Sequence, residues 1–473
     1  MASRRLPALI ELTLLAALAL PACVALVAHG GFFPRGQTAF AVASAATILG
    51  VVGLSGWSGT ALRNPAILAL AGLAVVSALS AAWTIASAGD ALRWAAVIAS
   101  LVLIALAASI VSGRLGAIPI AVLIAVLAAC AGLVGLYGAG ARVEPLAQRL
   151  GGQWSAGGPL EYSPALALMQ VSALPVLMAA MATRGDRLAI AAGSAVAIAG
   201  AVLALSGSRV ELAIAVGVAI ACALTARRAI GVPTVTVLAA AALAATAGGV
   251  ADAVAGSYVR PYVTGGDAPR LLALAAIVAG AGGLWLTQRR ALRAAGTRSR
   301  RARAIAAGMV ILPLAAALIA AGLTPDSGPQ AEPVSGFTHG RLEQWGAALD
   351  AAADRPLAGS GSLSFYEASA AYQEPPPVRF AHNLPLENWV ELGVAGALLT
   401  VVLYLGSAAA VWLRRRTAAA WLLGPAVIAF LLANLFDWPW HLPASGAVFA
   451  LSLGGLVGVP SRDPGRDDSE ERP

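Results

Sequence analysis

The sequence predicts an all-α polytopic membrane protein of about 12–14 transmembrane helices, with one large outer loop that contains short amphipathic helices. Three observations lead there. The 473 residues are 59% hydrophobic and only 11% charged, which is not the usage of soluble globular chains. Ala, Leu, Val, Ile and Gly gather in runs that approach the ~20 residues a helix needs to cross a bilayer. The runs do not alternate with polar residues, so a closed β-barrel is excluded.

Taken in order, the apolar runs lie near residues 8–28, 38–56, 65–83, 91–111, 115–137, 163–182, 188–205, 210–226, 232–249, 270–287, 304–323, 386–413, 420–436 and 442–459. Several are short or interrupted by Gly. The chain divides into N-terminal membrane helices (1–187), a core with its outer loop at 324–385 (188–400), C-terminal membrane helices (401–460) and a mixed-charge tail (461–473), read as disordered.

All 31 basic residues are arginine, and the formal net charge is +8. With the N-terminus inside and alternating spans, 21 of those 31 arginines fall on the inner side, seven of them between 289 and 303. The positive-inside rule accounts for this bias, so the charge reports orientation and argues against a nucleic-acid partner. Both termini then lie in the cytoplasm, and His29, His339, His382 and His441 all face outward. Cys23, Cys130 and Cys222 sit in apolar runs and read as small buried hydrophobes. The LPAC at 20–23 has the form of a lipoprotein cleavage box. Pro21 fits that pattern poorly, and an Ala/Leu-rich helix yields such matches by chance.

Three outer segments exceed simple turns: 138–162, 250–269 and 324–385. In the third, RLEQWGAALDAAA places Leu342, Trp345 and Leu349 on one helical face. The turn PLAGSGS follows, then a second short helix around 364–372, then the breaker EPPP. Both helices are expected to lie on the outer membrane face.

The candidate chemistry centres on Arg209, Arg341 and His382. Guanidinium groups grip phosphate oxygens in pairs of hydrogen bonds and stay charged at any working pH. A histidine takes a proton from a hydroxyl near neutrality. Together these types suit transfer from a phosphate-activated donor to an alcohol. Each also has a plainer reading, as membrane-edge anchor, solvated helix residue and cap respectively. Asn383, Glu387 and Glu391 are candidate supporting residues around His382. Asp437 and His441 read as part of an interfacial aromatic belt, and Gln153 and Tyr162 as loop residues or the lining of a glycan site. Gly359 and Gly361 form a turn without the GK[ST] of a P-loop. Neither HExxH, paired CxxC nor DxD occurs, so no metal or other cofactor is expected.

These landmarks together resemble the O-antigen ligase and O-antigen polymerase superfamily of cell-envelope enzymes. The resemblance is carried by Ser208–Arg209 at a span end, Arg341-x-x-x-Trp345, the turn from Pro356 to Gly361, Ala381-His382-Asn383, and Glu391-x-Gly393. It is best over about 188–400. It implies a metal-independent, inverting glycosyltransferase at the outer face of the bacterial cytoplasmic membrane. The donor would be a glycan on undecaprenyl diphosphate and the acceptor a lipid, protein or glycan hydroxyl. By the same analogy Arg209 and Arg341 bind the diphosphate and His382 activates the hydroxyl. This chain has more spans than the usual ligase core, and residues 324–381 hold three arginines against seven acids. Ligase and polymerase readings both fit. A secondary transporter fits less well, because transporters place ionisable residues at mid-membrane, often in repeated halves.

The arginine bias yields a direct test. A reporter fused after Arg301 is expected in the cytoplasm, and one near Gln373 outside. The same side for both would sink the odd number of crossings between them.

Overall fold

The computed structural model describes residues 2–150, 153–183, 185–256, 267–294 and 340–460. The expected span at 304–323, most of the arginine-rich loop, His339 and the 461–473 tail lie outside the described residues. Among those described, ten helices are long and apolar enough to cross a membrane. Three shorter apolar helices join them: Pro65–Ser80, Ala418–Ala433 and Pro443–Val457. The all-α polytopic membrane class holds. The helices fall into two compact units, one formed by Met1–Ala25, Phe32–Leu123 and Leu342–Pro473, the other by Leu26–Gly31 and Ile124–Arg341.

In the first unit the helix Ala88–Leu115 is central and packs against Pro34–Ser55, Pro65–Ser80 and Pro443–Val457. Lipid supplies no hydrophobic drive between helices, so close backbone approach and dispersion hold them together. Gly454 shows this, since a Cβ there would collide with the backbone carbonyl of Ala105. Ser112 Oγ then donates across the same seam to Gly455 O at 2.6 Å.

The second unit is organised around Asp186–Leu205, which packs on Ser163–Met181, Thr234–Ala251 and Asp267–Ala294. Arg290 and Arg289 both pair with Asp186 at the start of that central helix, Arg290 at 2.7 Å. A carboxylate in a helix's first turn also suits the macrodipole. The segment 138–162, expected to be an outer loop, contains an antiparallel pair of Ala147–Leu150 with Gln153–Ala156. Its ends are tied down: Gln148 Nε2 donates to Glu161 O at 2.7 Å, and the Glu161 carboxylate pairs with His29.

One expectation needs correction. Cys222 is buried, but Cys23 and Cys130 lie on exposed helix faces. Lipid tails are as apolar as a core, so an outward-facing thiol costs little there. The expected helix forms as Arg341–Asp354, buries Ala347, Ala348, Ala351 and Ala352, and sets Trp345 against Phe436. Leu342 and Leu349 are 65% and 48% exposed. The alanines admit Phe365, Ala381 and Val390 into a small core of their own. Burying Phe365 there contributes about 1.5–3 kcal/mol.

The helix Leu384–Leu413 is broken at Gly393, whose φ of 64° and ψ of −156° are open only to glycine. The break frees the carbonyls of Val390 and Glu391, and the PLAGSG turn takes them. Ser360 N donates to Val390 O at 2.9 Å, Gly361 N to Glu391 O at 2.7 Å, and Val394 N back to Pro356 O at 2.9 Å. The turn's other side meets residues 80–85. Ile85 N donates to Ser360 O at 2.9 Å, Ser362 N to Ser80 Oγ at 3.0 Å, and Trp83 Nε1 to Ala358 O at 3.0 Å. A Cβ at Gly393 would also strike Leu357 O.

Gly393→Ala is therefore expected to lower stability by at least the ~1–3 kcal/mol of a forced backbone. Thermal unfolding of the purified protein should show this, with Gly217→Ala as control, where a Cβ meets nothing within 4 Å. Equal melting of the two variants would sink the interlock.

Candidate functional site

The segment before the broken helix is built residue by residue. Ala381 is fully buried in the alanine-rich core, which restricts that position to a small side chain. His382 takes a left-handed conformation, φ 53°, and turns the chain into the helix. Its Nδ1 lies 3.0 Å from Phe380 O. A carbonyl only accepts, so Nδ1 carries the hydrogen, and Nε2 is the nitrogen able to accept a proton. Asn383 caps the helix, its Oδ1 accepting from Leu386 N at 3.1 Å. Its Nδ2 donates to Leu435 O at 3.1 Å, and Leu384 N donates to Asn434 O at 2.8 Å. The entry to the helix is thus fixed locally and by the chain before Pro439.

Glu387 and Glu391 are each only 3% exposed. Glu387 Oε2 accepts from Ala381 N at 2.9 Å, and Oε1 is bonded to His441 Nε2. Glu391 accepts from Leu363 N at 2.8 Å and Phe365 N at 3.2 Å. Both carboxylates therefore hold backbone, Glu387 next to His382 and Glu391 at the start of the second short helix. His441 is not a belt residue: it is buried, as is Asp437. Its ring stacks on Phe380 (4.1 Å between centroids, 24°) and on Trp94 (5.0 Å, 23°). Phe380 also stacks on Trp438 at 5.1 Å. Tyr372, which ends the second short helix, donates to Asp354 Oδ2 at 2.6 Å. Beside that carboxylate its phenol is pushed up from the ordinary value, mainly by this hydrogen bond.

The two candidate arginines belong to the second unit. Arg209 opens the helix Arg209–Ile230 and is exposed. Ser208, its N-cap, donates its hydroxyl to Glu211. Arg341 is half-buried at the start of Arg341–Asp354, and the boundary between the units falls just after it. His382, Asn383, Glu387 and Glu391 come together in the first unit. Gln153 is exposed at the start of its strand, and Tyr162 caps the helix Ser163–Met181.

The first unit also holds a cavity of about 630 Å³ that Glu391 and His441 help to line. Sequence reasoning missed its charged residues Asp90, Arg93, Glu367 and Arg379. Arg93 pairs with Asp90, and its Nε donates to Gln37 Oε1 at 3.2 Å. The Asp-x-x-Arg spacing at the entry to an apolar span was the available signal, since ionisable groups there are costly unless used.

These features define a multi-pass membrane protein with a polar cavity and a histidine-bearing turn packed on a broken helix. Residues 262–401 match the family model described as O-antigen ligase, which supports the resemblance to the O-antigen ligase superfamily over that part of the chain. The match supports a membrane glycan transferase of the ligase or polymerase type. No curated protein matched the chain.

Glu387 and His441 are expected to behave as a unit. Removing either leaves a buried partner unsatisfied, at about 1–3 kcal/mol. A double-mutant cycle with Glu387→Ala and His441→Ala, read by thermal unfolding, should be non-additive by about 0.5–3 kcal/mol. Additive losses would mean that the contact couples nothing.

Proposed function

We propose that the protein is a membrane glycan ligase of the bacterial cytoplasmic membrane. It moves a saccharide chain from undecaprenyl diphosphate to an acceptor hydroxyl at the outer face, with inversion. The observation that carries this reading is the match of residues 262–401 to the O-antigen ligase family model, and the His382 contact of Nδ1 with Phe380 O fits a base that works through Nε2. In the step, Nε2 takes the acceptor hydroxyl's proton as its oxygen attacks the anomeric carbon. The bond from that carbon to the diphosphate oxygen breaks, and the electron pair leaves with the carrier diphosphate. Arg209 and Arg341 hold that leaving group, a role suited to planar guanidinium forks. Asn383 and Glu387 act on the turn rather than on the substrate, through the helix cap and the Ala381 amide. The core at 188–400 carries the chemistry in this reading, and both termini are cytoplasmic. Chain extension on a second lipid-linked repeat uses the same step with a different acceptor.

Arg209→Lys and Arg341→Lys keep charge but lose the fork. Each is expected to cut transfer at least about tenfold, since charge-assisted hydrogen bonds contribute ~1.5–3 kcal/mol. Full transfer by both at normal protein level would favour an anchoring role. His382→Ala is expected to lose about 10²–10⁴-fold in rate while accumulating lipid-linked glycan. His339→Ala is the control. An essential His339 with a dispensable His382 would overturn the assignment. Transfer unaffected by either change, together with solute uptake that depends on the protein, would favour a transporter.

A further inference from the structure

The cavity in the first unit has a composition unlike a diphosphate site. Its volume, about 630 Å³, lies in the usual range of small-molecule sites, roughly 300–1,000 Å³. A site for a diphosphate needs excess positive charge. Here Arg93 is neutralised by Asp90. The other two exposed charges, Glu367 and Arg379, also balance, and among the described residues neither is engaged in an ion pair. Glu391 and His441 are spent internally, the first on two amides and the second on Glu387.

The groups left to meet a ligand are carboxylate, guanidinium, phenol and aromatic ring. Asp90 and Glu367 offer acceptors for hydroxyl pairs. Arg379 offers donors and is steadied over Phe32 at 5.8 Å and Phe380 at 5.7 Å. Tyr366 is 44% exposed at the wall and presents a ring face with a hydroxyl. A sugar ring has the matching surface, with hydroxyls at its rim and C–H groups on its faces. A balanced set of charges and amphipathic rings holds such a ligand without favouring an anion.

We propose that this cavity is a saccharide subsite that takes an uncharged sugar, with Glu367, Arg379 and Tyr366 as its specificity-determining contacts. That the bound sugar is a transfer substrate rests on the ligase reading; the binding itself does not. Phe380, whose carbonyl holds His382 Nδ1, lines the same cavity, so a sugar bound there lies beside the turn that carries the proposed base.

The test uses the full-length protein in lipid nanodiscs and saturation-transfer NMR. The probes are methyl glucoside, methyl N-acetylglucosaminide, methyl glucuronide and inorganic pyrophosphate. The two neutral glycosides are expected to bind. Glu367→Gln and Arg379→Gln are each expected to weaken them about tenfold, the loss of one charged hydrogen bond. Tyr366→Ala is expected to weaken them as well, with Tyr366→Phe retaining most of the ring contribution. All three positions are at the cavity surface, and unchanged thermal unfolding will confirm that each variant folds. Preferential binding of glucuronide or pyrophosphate overturns the inference, as does neutral binding that none of the variants alters. Neutral binding sensitive to the variants, in a protein that performs no glycan transfer, supports this subsite and sinks the ligase reading alone.

Discussion

The geometry of the first unit depends on one break in one helix. A continuous helix satisfies its own carbonyls and has nothing to offer a neighbouring loop. At Gly393 that continuity stops, and two carbonyls and one amide become available for partners outside the helix. The PLAGSG turn fits because it supplies amides at the matching spacing and no side chain at Gly359 or Gly361, where a Cβ would meet Glu391 and Thr84. The break and the turn are thus each other's condition. Leaving either group unsatisfied costs about 1–3 kcal/mol per hydrogen bond, which is why neither is expected to persist alone.

From this anchor the segment around the broken helix is made stiff by buried polar groups. Glu387 and Glu391 lie one helical turn apart and hold two different pieces of chain, one leading to His382 and the other to Phe365. The stack of Trp94, His441, Phe380 and Trp438 adds a rigid aromatic wall. His382, held through its backbone and its own Nδ1, would need little reorganisation in the role proposed for it.

Much of the fold was legible because membrane helices are read from length and apolarity alone, and runs such as 91–111 and 163–182 match helices Ala88–Leu115 and Ser163–Met181. The motifs Ala381-His382-Asn383 and Glu391-x-Gly393 were visible as residues, but their partners were not. Glu387 was legible as a supporting residue of His382 but not as the partner of His441, which looked like a belt residue, because their pairing spans 54 residues and leaves no periodic trace. The alanine face of Arg341–Asp354 was missed for a related reason. Hydropathy favours the leucines, whereas packing against Val390 favours the smaller side chain. Asp90 and Arg93 were passed over because a charge at a span end has an ordinary explanation.

The order of synthesis gives the first unit's seams a further meaning. Ser80 is made 282 residues before the Ser362 amide it accepts from, and Ser112 is made 343 residues before its Gly455 partner. Between them the ribosome delivers Ile124–Arg341, nearly all of the second unit. The early helices, with their hydroxyls and small-residue faces, therefore wait in the bilayer for partners that arrive last. A chain cut short after the second unit would carry inserted helices but neither the cavity nor the turn. The polar machinery of the first unit is assembled only when nearly the full sequence has been translated, so partial products cannot carry it into the membrane.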